Sequence, residues 1–236
     1  SYDIHRHFSN ALNSGMENVV MEVSSQACKL NRVGDVFFDV GIFMNISEDH
    51  ISPIEHADFD DYYKSKLKMF ANTKNAIVNM DADLAANTLA VARRDSARVF
   101  TFSMKTKDTD FYAYDIRKDG FNTIFKVHTP SYDEEFMLTM PGLFNVENAL
   151  AAIATAYLMD VPVENIKHGL EIARSSGRME VFHTKDMKII ILVDYAHNKL
   201  SFEKLFSSVK EEYPDRRIVS IFGCPGKKAL LRRKDL

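Results

Sequence analysis

Cysteine is scarce: Cys28 and Cys224 are the only two in the chain, and they lie far apart. Without paired spacing they give neither a disulfide framework nor a zinc site, and both are expected to be buried or neutral thiols. Long hydrophobic runs are also missing. The longest, such as residues 187–193, fall far short of the roughly 20 apolar residues that cross a bilayer, and no basic-then-apolar segment opens the chain. A cytoplasmic location with no membrane partner is therefore expected. Charge of one sign is lacking too: 30 Lys and Arg stand against 33 Asp and Glu, a net charge of -3. A nucleic-acid partner calls for a basic excess or stripe to neutralise phosphates, so that class is excluded, while a small anionic ligand is not. No internal repeat or low-complexity tract occurs.

The 236 residues, 46% hydrophobic and 27% charged, suit one large α/β domain, or one domain and a piece of another. Ile4, Phe8, Ala11 and Leu12 at helical spacing predict a first helix that stops at Asn13-Ser14-Gly15. Apolar runs at 19–23, 40–46 and 76–80 each end in polar residues and read as strands. Between the last two, Tyr62, Lys66 and Phe70 step by four along a helix over 58–70, with Asp58 and Asp60 as possible caps. Strands alternating with helices predict a mostly parallel sheet with flanking helices, whose sites gather beyond the carboxyl ends of the strands.

Residues 110–140 alternate instead, as in Tyr112-Ala113-Tyr114 and Ile124-Phe125-Lys126-Val127, and predict a small antiparallel side sheet. After Pro141-Gly142 an alanine-rich helix spans 146–159, and Pro162 opens another. Strands are expected at 179–182, 188–193 and 217–222, with a helix carrying Phe202, Leu205, Phe206 and Val209 before the last. The predicted division is 1–175 for one domain and 176–236 for the start of a second.

Four polar constellations could carry chemistry, most of them beside predicted strands. Glu22 closes an apolar run and is followed by Ser24-Ser25; a buried carboxylate there calls for a cation such as magnesium, or equally a structural ion pair. Asn45 to His50 brings an amide, two acids and an imidazole together, as a metal-binding cluster or as a cap and surface loop. Lys66 reads first as the solvated face of a helix, although a desolvated amine can also take up carbon dioxide and become an anionic carbamate. Arg178 before one strand, and Asp194 and His197 after the next, suit phosphate and ribose, or a turn ion pair and a strand cap.

Taken together, six segments resemble the Mur ligases, ATP-dependent amide-forming enzymes, over nearly the whole chain, and most of all the MurE type that extends UDP-N-acetylmuramoyl-dipeptide. They are Met21-Glu22-Val23-Ser24-Ser25, Asn45 to His50, Tyr62 to Lys66 with Phe70, Phe144-Asn145-Val146-Glu147-Asn148 with the alanine-rich run behind it, Gly177-Arg178-Met179-Glu180, and Asp194-Tyr195-Ala196-His197. The resemblance implies an ATP-binding, P-loop-like central domain and a ligase that phosphorylates a carboxylate and lets an amine displace phosphate. By the same resemblance Glu22, His50 and a carbamylated Lys66 hold magnesium, and Lys66 and His197 are catalytic. Asn145 and Asn148 contact adenine, Arg178, Asp194 and His197 contact ribose and phosphates, and Ser24 and Ser25 contact the substrate. The implied partners are UDP-N-acetylmuramoyl-dipeptide and an amino acid, with a monomer expected.

The departures are specific. Gln26 replaces a histidine usual in the family, Leu143 stands where arginine is common, and Asn198-Lys199-Leu200 replaces Thr-Pro-Asp. No G-x-x-x-x-G-K-[ST] phosphate loop occurs, so that loop is expected upstream of residue 1, and the chain is expected to be a fragment inactive by itself. A folylpolyglutamate synthetase-like enzyme, another Mur ligase and a non-catalytic nucleotide-binding domain remain as alternatives.

Overall fold

The computed structural model describes residues 2–48, 50–119 and 122–223. Its elements run α1 Tyr2–Asn13, α2 Ser25–Lys29, β1 Phe38–Phe43, α3 Phe59–Leu67, β2 Thr73–Asn79, α4 Ala85–Asp95, β3 Arg98–Ser103, β4 Phe111–Asp119, β5 Asn122–His128 and β6 Asp133–Leu138. They continue with α5 Leu143–Leu158, α6 Val163–Ile172, β7 Glu180–His183, β8 Ile190–Val193 and α7 Lys199–Glu212.

Strands β1 to β6 form one sheet in sequence order. The first four are parallel, and β4, β5 and β6 are antiparallel. The antiparallel strands thus extend the main sheet, joined to it through the short parallel pairing of Phe102 and Ser103 in β3 with Phe111 and Tyr112 in β4. Strand β2 is covered on both faces, which is why its sequence reads as a nearly continuous apolar run. Its Ile77 packs towards α5 and α6 with Phe102, Phe125 and Leu150, while Ala76 and Val78 pack towards α3 and α4 with Phe43, Tyr62 and Phe70. In α5, Val146, Ala149, Leu150, Ile153 and Ala154 recur at helical spacing and are all buried, with alanines where helix and sheet come close.

Helix α3 starts where expected. The Asp58 side chain accepts from the Asp61 N–H at 2.8 Å, Asp60 and Asp61 occupy the first turn, and Lys64 and Lys66 occupy the last. This distribution of charge matches the helix dipole.

Two expected strands are absent. Residues 19–23 are extended but join no ladder, with Val20 97% and Val19 55% exposed. An apolar run becomes a strand only where a neighbour's edge takes its N–H and C=O groups. Here the run spends its apolar side chains differently: Met21 and Val23 pack on a small cluster around Cys28, Val33 and Val36. Residues 217–222 also join no ladder; Phe222 instead meets the ring of Phe202 at 5.2 Å, beside α7. Strand β7 has the expected length, one residue later than expected, and β8 is shorter than expected; they pair antiparallel with each other and share no ladder with the larger sheet. Cys28 is buried, which pushes its thiol pKa up; Cys224 and the rest of the segment from 224 lie outside the described residues. Among the described residues no helix is long and apolar enough to cross a membrane.

Candidate functional site

The carboxyl ends of β1 and β2 open onto a polar layer. Asn79, fully buried at the end of β2, donates through Nδ2 to the Met44 carbonyl and to Glu147 Oε1, each at 2.9 Å, and accepts from the Asp81 N–H at 3.0 Å. Asp81 in turn accepts from the Ser103 hydroxyl and the Met104 N–H, both at 2.6 Å. The loops beyond three parallel strands are therefore tied together through side chains, because a buried amide or carboxylate without partners would cost more than its hydrogen bonds return.

Lys66 lies beside this layer and not on the solvent side of its helix. Its Nζ donates to the Asn45 carbonyl at 3.1 Å and sits 5.3 Å from the centre of the Tyr62 ring and 5.8 Å from that of Phe43. His50 approaches the same Tyr62 ring at 5.5 Å. The His50 Nδ1 meets Glu55 Oε1 at 3.2 Å, and the Ser52 hydroxyl holds the other Glu55 oxygen at 2.9 Å. Lys66 and His50 are thus brought together around Tyr62, and the carboxylate on one imidazole nitrogen is the arrangement that orients the other towards a ligand. Asp49 lies outside the described residues. Glu22 is exposed on the extended segment and has no hydrogen bond or ion pair among the described residues. No group of three His, Cys, Asp or Glu positioned for a metal occurs among the described residues. No hydrogen bond or ion pair joins Glu22 to His50 or Lys66 among the described residues, so the three are not assembled as a magnesium site as they stand.

Ser24 and Ser25 separate in role. Ser24 is exposed and caps α2, accepting from the Ala27 N–H at 3.1 Å. Ser25 is buried and shares a 2.9 Å hydrogen bond with His56 Nε2. The fully buried His56 ring lies tilted against Tyr62 with centroids 5.2 Å apart, and its Nδ1 faces Asp61 Oδ2 at 3.3 Å. Asp61 also takes Lys29 Nζ at 2.5 Å and the Ala57 N–H at 3.1 Å. The Lys29 ammonium and the Ala57 N–H hold the Asp61 carboxyl down to about 2. Burial lowers the pKa of His56, against the opposing pull of Asp61. Sequence reading missed His56, because its partner Ser25 is 31 residues away and nothing local marks it.

At the start of α5, Asn145 is buried, donating to the Pro141 carbonyl at 2.7 Å and accepting from Asn148 Nδ2 at 3.1 Å. Asn148 is exposed. Asn145 therefore shapes the turn, and Asn148 is the one of the pair that presents an amide to solvent.

Arg178, Asp194 and His197 gather around Tyr195. The Arg178 guanidinium lies 4.9 Å from the centre of its ring, and the His197 ring meets it edge-on at 4.8 Å. Asp194 accepts from the Met179 N–H at 2.9 Å and the Ala196 N–H at 2.7 Å, so both oxygens hold backbone. The 2.7 Å contact between His197 Nδ1 and the Tyr195 carbonyl requires the proton on Nδ1, leaving Nε2 for a ligand.

A mixed sheet with helices on both faces and polar loops at its strand ends defines an α/β domain. The family model for the Mur ligase middle domain matches residues 1–156, and that for the Mur ligase, glutamate ligase domain matches 177–236; the chain belongs to the Mur ligase family. A UDP-N-acetylmuramoyl-L-alanyl-D-glutamate--2,6-diaminopimelate ligase of Clostridium perfringens is 36% identical over all of this chain and 48% of its own length. The corresponding L-lysine ligase of Enterococcus faecalis is also 36% identical, over 100% and 47%. The chain spans about half the length of the curated relatives it matches. Among solved structures, a 2,6-diaminopimelate ligase aligns with TM-score 0.67 at 23% identity over 90% of this chain and 43% of its own. A folylpolyglutamate synthase of Mycobacterium tuberculosis aligns with TM-score 0.61 at 18% identity over 74% and 39%; both likenesses concern fold alone.

Proposed function

We propose that this chain is the ATP-handling part of a ligase of peptidoglycan-precursor synthesis that adds an amino acid to UDP-N-acetylmuramoyl-dipeptide through an acyl phosphate. The observation that carries the reading is the 36% identity, over the whole chain, to relatives named for that addition. In this reading residues 1–175 form the nucleotide-binding domain and 176–236 begin the domain that completes it, in a cytoplasmic monomer. Asn148 faces adenine, with Asn145 holding its turn. Arg178 and His197 Nε2 face ribose and phosphates, and cationic groups there stabilise charge on the phosphoryl group in transit. Ser24, on the exposed start of α2, faces the muramoyl substrate. Lys66 acts as a carbamate. Magnesium is the proposed metal, but no step is routed through it, because Glu22, His50 and Lys66 are not gathered into a site for it.

The incoming amino acid is left open by the relatives, since the diaminopimelate and the lysine ligase are equally similar to this chain. The test is a phosphate-release assay on the complete gene product with UDP-N-acetylmuramoyl-dipeptide and a panel of amino acids, run beside a folate with glutamate. Turnover with the muramoyl substrate supports the reading. Turnover only with the folate favours the folylpolyglutamate-type alternative, and ATP binding without turnover on either favours a non-catalytic domain.

A further inference from the structure

Among the described residues the three apolar clusters contain no residue beyond 170. Among the described residues, then, none of these clusters joins the β7–β8–α7 unit to the larger sheet. Among the described residues two ion pairs link them. Lys204 Nζ meets Glu147 Oε2 at 2.7 Å, and Lys118 Nζ meets Glu212 Oε2 at 2.7 Å. Lys204 and Glu212 are eight residues apart on α7, about 12 Å along its axis, so the links grip both halves of the helix.

The Glu147 pair is the better built. The Glu147 side chain is only 12% exposed, and its second oxygen is held by the fully buried Asn79, which is anchored in turn to Met44 and Asp81 at the ends of β1 and β2. A carboxylate already locked by one unit loses little entropy on taking a lysine from the other, unlike an ordinary surface pair. Both ends lead into the proposed site. Glu147 immediately precedes Asn148. On the other side, α7 begins in a capping box between Asn198 and Ser201, and the Ser201 hydroxyl accepts the His197 N–H at 3.0 Å. A shift of Lys204 thus carries the His197 loop with it.

We propose that Glu147 and Lys204 are positioning residues, an ion pair across the two units that sets the span between Asn148 and His197. This rests on the reading of those two residues as opposite sides of an ATP site. Neither partner touches the reacting atoms. The pair aligns the groups that do, and misalignment of such groups lowers turnover without unfolding the protein.

The test uses the complete gene product carrying E147Q, K204M, both, or K204R. Glutamine keeps an acceptor for Asn79 while removing the charge. Spin labels on cysteines introduced at the exposed Lys64 and Lys185, with Cys224 replaced by serine, report the distance between the units. Each single variant should broaden that distance and lower kcat/KM for ATP about tenfold. The double variant should be no worse than the singles, because both remove one interaction, and K204R should stay within about threefold of wild type. Melting temperatures should be unchanged. Singles with wild-type distances and kcat/KM, or losses that simply add in the double variant, overturn the proposal. No turnover by the wild-type protein with any amine overturns the ligase reading, while the label distances still decide on the ion pair.

Discussion

Replacing His56 with alanine should destabilise the protein by about 3 to 5 kcal/mol, the sum of two losses. The fully buried imidazole leaves a cavity against Tyr62, and the Ser25 hydroxyl, 6% exposed, loses its 2.9 Å partner. For a chain of this size each kcal/mol lowers the melting temperature by about 2 to 4 °C, so a fall of roughly 6 to 20 °C is expected at pH 8. Ser25→Ala alone should cost less, about 1 to 3 kcal/mol, since the ring remains. The double variant should cost less than the two singles added, because both remove the same hydrogen bond. Dependence on pH gives a second readout. Burial holds the His56 pKa below its ordinary 6.5, so unfolding releases an imidazole that binds protons more readily. The contribution is complete above pH 6.5, declines as pH falls below it, and levels off beneath the folded-state pKa. Asp61, held down to about 2 from 3.8, acts in a separate window, losing its contribution only as pH drops from 3.8 towards 2. Melts followed by far-UV circular dichroism between pH 5 and 8 measure the loss at pH 8 and the His56 window. A His56→Ala melt within about a degree of wild type, or a decline below pH 6.5 that persists in the variant, refutes the reasoning.

Lys66→Ala should abolish most ligase activity of the complete gene product while short carboxylates such as formate restore part of it; activity unaffected by the substitution rules out the carbamate. Asn148→Ala should leave stability within about 0.5 kcal/mol and raise the KM for ATP about tenfold, whereas Asn145→Ala should cost about 1 to 3 kcal/mol of stability, as separate melting and kinetic measurements will show. Gly142 has a φ of 94°, and a Cβ there would lie 2.8 Å from the Phe144 ring. Gly142→Ala should therefore destabilise by about 1 to 3 kcal/mol, and denaturant titration giving a wild-type midpoint would contradict that strain.

Helices were the most legible elements, because their signals are local. Asp58 at the start of α3, Pro162 ahead of α6 and the alanine-rich run after Pro141-Gly142 each identify a helix from a few neighbouring residues. Strands were legible where the run was buried on both faces, as in β2, and misleading at 19–23 and 217–222, where equally apolar residues have no ladder to join. The site divides in the same manner. Arg178, Asp194 and His197 stand out as polar residues beside apolar segments, and Asn145 and Asn148 through the family resemblance alone. Their different duties, Asn145 and Asp194 bonded to backbone and Asn148 and Arg178 exposed, do not.

By itself the sequence determined the family and the alternation of strand and helix, since six short segments in a fixed order and the spacing of apolar side chains are properties of the chain alone. Only the tertiary structure decided that the antiparallel strands continue the parallel sheet, that Ser25 turns inwards to His56 while Ser24 caps a helix, and that Glu147 meets a lysine 57 residues away. The physical reason is common to all three. A hydrogen bond or ion pair between distant residues depends on where two separate elements come to rest, and that leaves no trace in the residues next to either partner.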